Sequence, residues 1–172
     1  MSTMNVLICQ QPKELVWKQR EIPIPGDNEA LIKIKSVGIC GTDIHAWGGN
    51  QPFFSYPRVL GHEICGEIVG LGKNIADLKN GQQVAVIPYV ACQQCPACKS
   101  GRTNCCEKIS VIGVHQDGGF SEYLSVPVAN ILPADGIDPQ AAALIEPFAI
   151  SAHAVPRPDR LAPPRPPAPA RR

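Results

Sequence analysis

Alternation of apolar and polar positions marks a series of short strands in this chain. Residues 29–37 alternate most regularly. Leu31, Lys33 and Lys35 fall on one face and Ala30, Ile32, Ile34 and Ser36 on the other, the period-two pattern of a strand half in water. Residues 4–9 are a short apolar run and residues 15–20 alternate loosely, with a turn around Gln11-Pro12-Lys13 joining them as two strands. Residues 63–69 read as a strand closed by Gly70-Leu71-Gly72, and residues 84–87 as an apolar strand after the Asn80-Gly81 turn. Residues 120–126 read as another, with Phe120, Tyr123 and Leu124 among polar neighbours. Helical signals are few. Residues 43–47 allow one turn with Thr42 as its N-cap, and residues 138–145 are alanine-rich, with Asp138 at the N-cap and Pro139 at the first helical position. The proline-broken segments 21–28 and 51–58 read as connections. Short strands, Gly and Pro punctuation and little helix predict a mainly β fold arranged as a partly open barrel.

Composition narrows this picture. The 172 residues are 44% hydrophobic and 18% charged, enough for one domain with its own core. A net charge of +1 gives no pull toward nucleic acid or a membrane surface. No apolar run reaches the roughly eighteen residues of a membrane span. The N-terminus lacks the basic-then-apolar order of a secretory signal, which points to the cytoplasm. There, eight cysteines are expected to be metal ligands or buried thiols rather than disulfides. The pattern breaks after Val155. Residues 156–172 hold seven Pro, five Arg and three Ala with one Leu and no aromatic. That composition cannot bury enough apolar area to order itself, and a disordered basic tail is expected. A polyproline ligand for a partner's groove is the other reading.

Two clusters carry chemistry. Cys92, Cys95, Cys98 and Cys106 are spaced C-x2-C-x2-C-x7-C. Two-residue spacings let neighbouring thiolates point at one centre, and four thiolates make a closed, structural zinc site. Iron–sulfur ligation and a redox C-x-x-C pair are the alternatives. Cys105 reads as a bystander, and Cys9 and Cys65, in apolar strands, as small buried hydrophobes. The other cluster is Gly61-His62-Glu63 with Cys40, twenty-two residues before His62. Thiolate, imidazole and carboxylate suit a borderline-soft cation such as zinc, with a position left open for catalysis. Glu146 is a further candidate ligand. Thr42 and His45 are candidates for moving a proton. The blander reading has His62 in the core, Cys40 as a buried thiol and Thr42 as a helix cap only.

The ordered segments Gly38-Ile39-Cys40-Gly41-Thr42-Asp43-Ile44-His45, Gly61-His62-Glu63 with Gly66 and Gly70, the four-cysteine lobe, Gly118-Gly119-Phe120-Ser121-Glu122-Tyr123 and Glu146-Pro147 resemble the zinc-dependent medium-chain alcohol and polyol dehydrogenases. The resemblance spans residues 4–155 and is strongest to the polyol and sugar-acid members. It implies a GroES-like catalytic domain over residues 1–155. It implies catalytic zinc on Cys40, His62 and either Glu63 or Glu146, and structural zinc on Cys92, Cys95, Cys98 and Cys106. The implied reaction passes a hydride from a secondary alcohol of a small polyol or sugar acid to NAD(P), with Thr42 and His45 relaying the proton. Phe53 and Phe54 either border the substrate pocket or pack as ordinary loop residues. Homo-oligomers are implied for the intact family, and no nucleic acid or membrane partner.

Family members continue beyond the position of Val155 into a Rossmann domain that binds NAD(P). Here no G-x-G-x-x-G and no βαβ alternation occurs, and the Pro/Arg/Ala tail stands instead, as a shifted reading frame would produce. The expectation is a two-zinc half-enzyme that does not bind the cofactor alone and has little activity. An exposed apolar surface is expected near residues 141–155. A zinc-stabilised binding module whose tail recruits a partner, and a zinc-free reductase on the same barrel, are the competing readings.

Overall fold

The computed structural model describes residues 2–52 and 54–155. The tail read at residues 156–172 and the pocket role of Phe53 lie outside the described residues. The first sheet has the order β2-β1-β4, from β1 (Thr3–Gln11), β2 (Glu14–Glu21) and β4 (Arg58–Val59). The second runs β10-β6-β5-β3-β9, from β3 (Glu29–Gly38), β5 (Glu63–Leu71), β6 (Gln83–Val86), β9 (Tyr123–Pro127) and β10 (Ile131–Pro133). A separate two-stranded ladder joins β7 (Tyr89–Val90) to β8 (Ser110–Val111). The named strand pairs are all antiparallel.

The inward positions predicted for β3 are borne out. Ala30 and Ile32 are fully buried and meet Ile64, Ile68, Val84 and Val126 in the main core, with Ile34 packed against it. The sheets curl toward one another without any closed barrel among the described residues. The stretch around Phe120 stitches them. Leu7 N–H donates to Phe120 O at 2.8 Å, Phe120 N–H to Leu60 O at 2.9 Å, and Ile34 N–H to Glu122 O at 2.9 Å. Within the 120–126 segment a single antiparallel bridge joins Ser121 to Val6, and the ladder with β3 begins at Tyr123.

The helices depart from expectation in two places. The first, α1 (Gly41–Gly48), is capped by Cys40, not Thr42. Asp43, at the third helical position, accepts the Cys40 N–H at 2.9 Å, so the helix begins two residues earlier than a Thr42 cap allows. After the small α2 (Pro96–Lys99), the alanine-rich segment forms α3 (Pro139–Ala143), with Asp138 accepting the Gln140 and Ala141 N–H groups as anticipated. The chain then breaks at Leu144 and continues as α4 (Ile145–Ala154), which the sequence reading did not anticipate. Pro147 sits in the first turn of α4, where a missing N–H costs no helical bond. Leu144, Phe148, Ile150 and Val155 are all more than half exposed, which gives the apolar surface expected near residues 141–155.

Candidate metal centres

The strand register builds the first centre. Gly38, the last residue of β3, pairs with Glu63, the first of β5. Cys40 follows just after one strand and His62 comes just before the other. The Cys40 thiol, a His62 ring nitrogen and a Glu63 carboxylate oxygen all lie within 4.8 Å of one another. His62 and Glu63 are each 6% exposed. Gly38 is needed for this closeness, since a Cβ there would overlap the Glu63 carboxylate. Gly61 has φ +90°, and a Cβ on it would come within 2.7 Å of the Phe120 ring. Both glycines therefore admit side chains of the site or the seam beside it.

Asp43 organises the backbone around this cluster. It is 3% exposed. It accepts N–H groups from Cys40 at 2.9 Å and Gly61 at 3.0 Å, and its Oδ1 lies 3.7 Å from His62 Nδ1. That Nδ1 is buried without a hydrogen-bond partner among the described residues. A cation suits this donor set: a buried carboxylate and an imidazole beside a thiol need a compensating charge, and Asp43 faces the ring nitrogen remote from Nε2. Sequence reading missed this role of Asp43. The available signal was its position three residues after Cys40, the reciprocal spacing of a helix cap.

Three other expected residues stand outside the close group. Thr42 Oγ1 is 3.6 Å from Cys40 Sγ and half-buried. His45 is exposed on α1. Glu146 is not in the close group; its Oε1 accepts the Tyr89 hydroxyl at 2.7 Å. The Tyr89 hydroxyl is pushed well above its ordinary pKa by burial, then by the hydrogen bond and charge of Glu146, then by the charge of Cys40. Phe54 stacks edge-on against Tyr56, with centroids 4.8 Å apart, and packs beside Cys9, Ala46 and Leu60, the ordinary packing reading.

The second centre occupies the excursion between β7 and β8. The thiols of Cys92, Cys95, Cys98 and Cys106 lie within 4.8 Å of one another. Cys95 caps α2, Cys98 sits inside it, and Cys106 follows a 3-10 turn at Thr103–Cys105. Backbone N–H groups turn toward the sulfurs: Cys95 to Cys92 Sγ at 3.4 Å, Cys92 to Cys106 Sγ at 3.3 Å and Lys108 to Cys106 Sγ at 3.3 Å. Hydrogen bonds from Gln94 and Cys95 pull the Cys92 thiol down to about 6, whereas burial pushes Cys98 up to about 12. Cys95, Cys98 and Cys106 form the buried cluster of this lobe, with Cys92 and small neighbours such as Ala91 and Ala97 packed against it. Cys105 is exposed and outside the group, while Cys9 and Cys65 are fully buried in the sheets.

Residues 26–136 match the alcohol dehydrogenase GroES-like domain. The chain belongs to this family. It is 99% identical over 157 residues to the L-galactonate-5-dehydrogenase of Escherichia coli K12, a match covering 91% of this chain and 46% of that protein. The short chain alcohol dehydrogenase RspB of Escherichia coli CFT073, solved in complex with NADH, superposes with a TM-score of 0.82 at 41% identity, over 88% of this chain and 44% of that one. The galactitol-1-phosphate dehydrogenase of Escherichia coli superposes at 0.83 with 33% identity, over 87% and 44%. The chain thus spans less than half the length of these GroES-like relatives. Among the described residues no helix is long and apolar enough to cross a membrane.

Proposed function

We propose that residues 1–155 are the zinc-bearing catalytic domain of an NAD(P)-linked dehydrogenase that oxidises a secondary alcohol of a sugar acid or polyol, with C5 of L-galactonate as the first candidate. The observation that carries this is the convergence of Cys40, His62 and Glu63 at the paired ends of β3 and β5, in a chain nearly identical to part of L-galactonate-5-dehydrogenase. Zinc bound there supplies Lewis-acid polarisation of a substrate hydroxyl. Cys40, His62 and Glu63 hold the ion, and Asp43 fixes the ring and the two backbone turns that present them. Thr42, beside Cys40, and exposed His45 on α1 carry the released proton toward water. Cys92, Cys95, Cys98 and Cys106 hold a second, structural zinc. The nicotinamide is supplied by the part of the relatives' length that this chain does not match, because among the described residues nothing offers a parallel βαβ unit to cradle a dinucleotide. The reaction belongs in the cytoplasm, where such small acids and the cofactor are available.

Metal analysis of the purified chain tests this reading. Two zinc ions per chain are expected, falling to one in Cys40→Ser and in His62→Ala while the lobe keeps its own. Equal zinc in wild type and Cys40→Ser would overturn the catalytic centre. Titration of the zinc-loaded chain with L-galactonate should give heat that Cys40→Ser abolishes.

A further inference from the structure

We propose that α4 is the contact of a homodimer, in which the helices of two copies of this chain pair antiparallel and each closes the groove beside the other. The helix is apolar nearly all round. Only Glu146, Ser151 and His153 are polar among its ten residues, yet none of the ten is buried. A helix of that composition belongs inside a protein or an assembly. The surface beside it is apolar as well. Tyr89 is 42% exposed, and Leu132, on the edge strand β10, is 40% exposed.

One face of α4 matches itself when reversed. Glu146, Ala149, Ile150 and His153 stand at i, i+3, i+4 and i+7, so they share that face. All four line one groove of about 480 Å³, with Val86 and Leu132 of the second sheet on its other wall. A two-fold axis passing between Ala149 and Ile150 sets Glu146 of each copy opposite His153 of the other, and Ala149 opposite Ile150. The polar ends are free for this pairing. The Tyr89 hydroxyl takes Glu146 Oε1 at 2.7 Å, which leaves Oε2 without a partner among the described residues. His153 is exposed, and an imidazole N–H donates to a carboxylate whether or not the ring is charged. Ala149 beside the axis carries a single methyl group, so the two backbones approach closely. Antiparallel helices also set the positive end of each dipole beside the negative end of the other. Such a contact is isologous and needs no second surface on the molecule. The exposed parts of Tyr89, Leu132, Ala149, Ile150, His153 and Ala154 offer on the order of 500 Å² per copy, so two copies reach the total of about 1,000 Å² at which a specific interface begins.

Sedimentation velocity of the full chain, with zinc present and over micromolar concentrations, tests the pairing. A reversible dimer is expected. Ile150→Asp should leave a monomer, because it sets two carboxylates side by side at the axis. Glu146→Lys and His153→Glu should each weaken the dimer about tenfold, since each puts mismatched groups opposite one another at both ends of the contact. The double variant, Glu146→Lys with His153→Glu, sets opposite charges across the axis again and should recover the wild-type equilibrium. Local damage to α4 cannot give that recovery, because seven residues separate the two side chains by about 10 Å along one helix and they do not meet within a copy. Trp17→Glu, in an exposed apolar position of β2, should leave the dimer as it is. A monomer at all concentrations overturns the proposal, and protection of α4 from amide exchange in that monomer assigns the groove to the chain's own residues. A dimer that Trp17→Glu breaks and Ile150→Asp does not, or a double variant that fails to recover, also overturns it. Should Ile150→Asp not fold, the charge swap decides alone.

Discussion

The two clusters of metal-ligating residues make opposite demands on the chain. The lobe centre is drawn from fifteen consecutive positions, Cys92 to Cys106, in a segment with almost no apolar side chains of its own. The centre at Cys40, His62 and Glu63 is assembled from the ends of two long core strands, β3 and β5, and the start of α1. One is a short stretch that would need the proposed ion in order to have a shape. The other is a shape, set by the packing of Ile32, Ile64 and Ile68, on whose rim an ion can sit. Metal should therefore be a folding determinant in the first and close to a passenger in the second.

The sharpest way to break that contrast is to remove one ligand from each. Cys95→Ser should cost the lobe its ion and its structure, given that structural zinc supplies roughly 10–16 kcal/mol in isolated finger peptides. Amide exchange across residues 90–110 should collapse to solvent rates while β3 and β5 stay protected. Cys40→Ser should lose one metal equivalent yet leave exchange in both regions near wild type, with the midpoint of thermal unfolding lowered far less than in Cys95→Ser. A Cys40→Ser chain that melts as badly as Cys95→Ser would erase the distinction.

Smaller changes sharpen the comparison. Gly38→Ala pushes a methyl group into the Glu63 carboxylate and should destabilise the barrel by about 1–3 kcal/mol. It should also weaken metal at the rim and spare the lobe, as denaturant titration and metal competition would show. Asp43→Asn keeps the size but weakens the hold on His62 and the Cys40 and Gly61 N–H groups. Its rim affinity should fall about 10–100-fold with the lobe again unchanged.

The smallest effect concerns thiols with no ligand role. Burial raises Cys9 above its ordinary value of 9.0, and burial followed by the Asp138 charge raises Cys65. Each folded pKa exceeds the unfolded one, so their contribution is complete below about pH 9 and is lost as pH rises beyond it. Cys65→Ala should flatten the alkaline side of the stability profile slightly, whereas metal-loaded lobe cysteines should not contribute there.

The same contrast explains what the sequence made legible. Four cysteines at fixed spacing declare themselves, because the lobe's geometry is local. The strands of the barrel were readable where one face meets water, as in residues 29–37. Leu31 and Lys33 alternate with buried Ala30 and Ile32, and period two survives. It was not readable in β4, β7, β8 and β10, two or three residues each, too short to show a period. Cys40, His62 and Glu63 were visible as a donor set, and the family likeness gave them one ion, but neither showed the way Gly38 faces Glu63, since register is a property of two strands together. Glu146 was named as a further candidate ligand, and the likeness offered it as the alternative to Glu63. Its bond to Tyr89 depends on a ladder and a helix that no local pattern announced.

The neck of the lobe has a consequence for how such molecules change over time. Val90 faces Ser110 across an antiparallel pair, so residues 91–109 leave and re-enter the barrel through a gap about one strand spacing wide, about 5 Å. Seen from the barrel, the whole excursion is a detachable loop whose two ends already touch. A turn of two residues spans the same gap. Lineages of this architecture can therefore shed the lobe and its cysteines in one deletion without rerouting any other strand. Lengthening it demands nothing of the rim where Cys40, His62 and Glu63 meet.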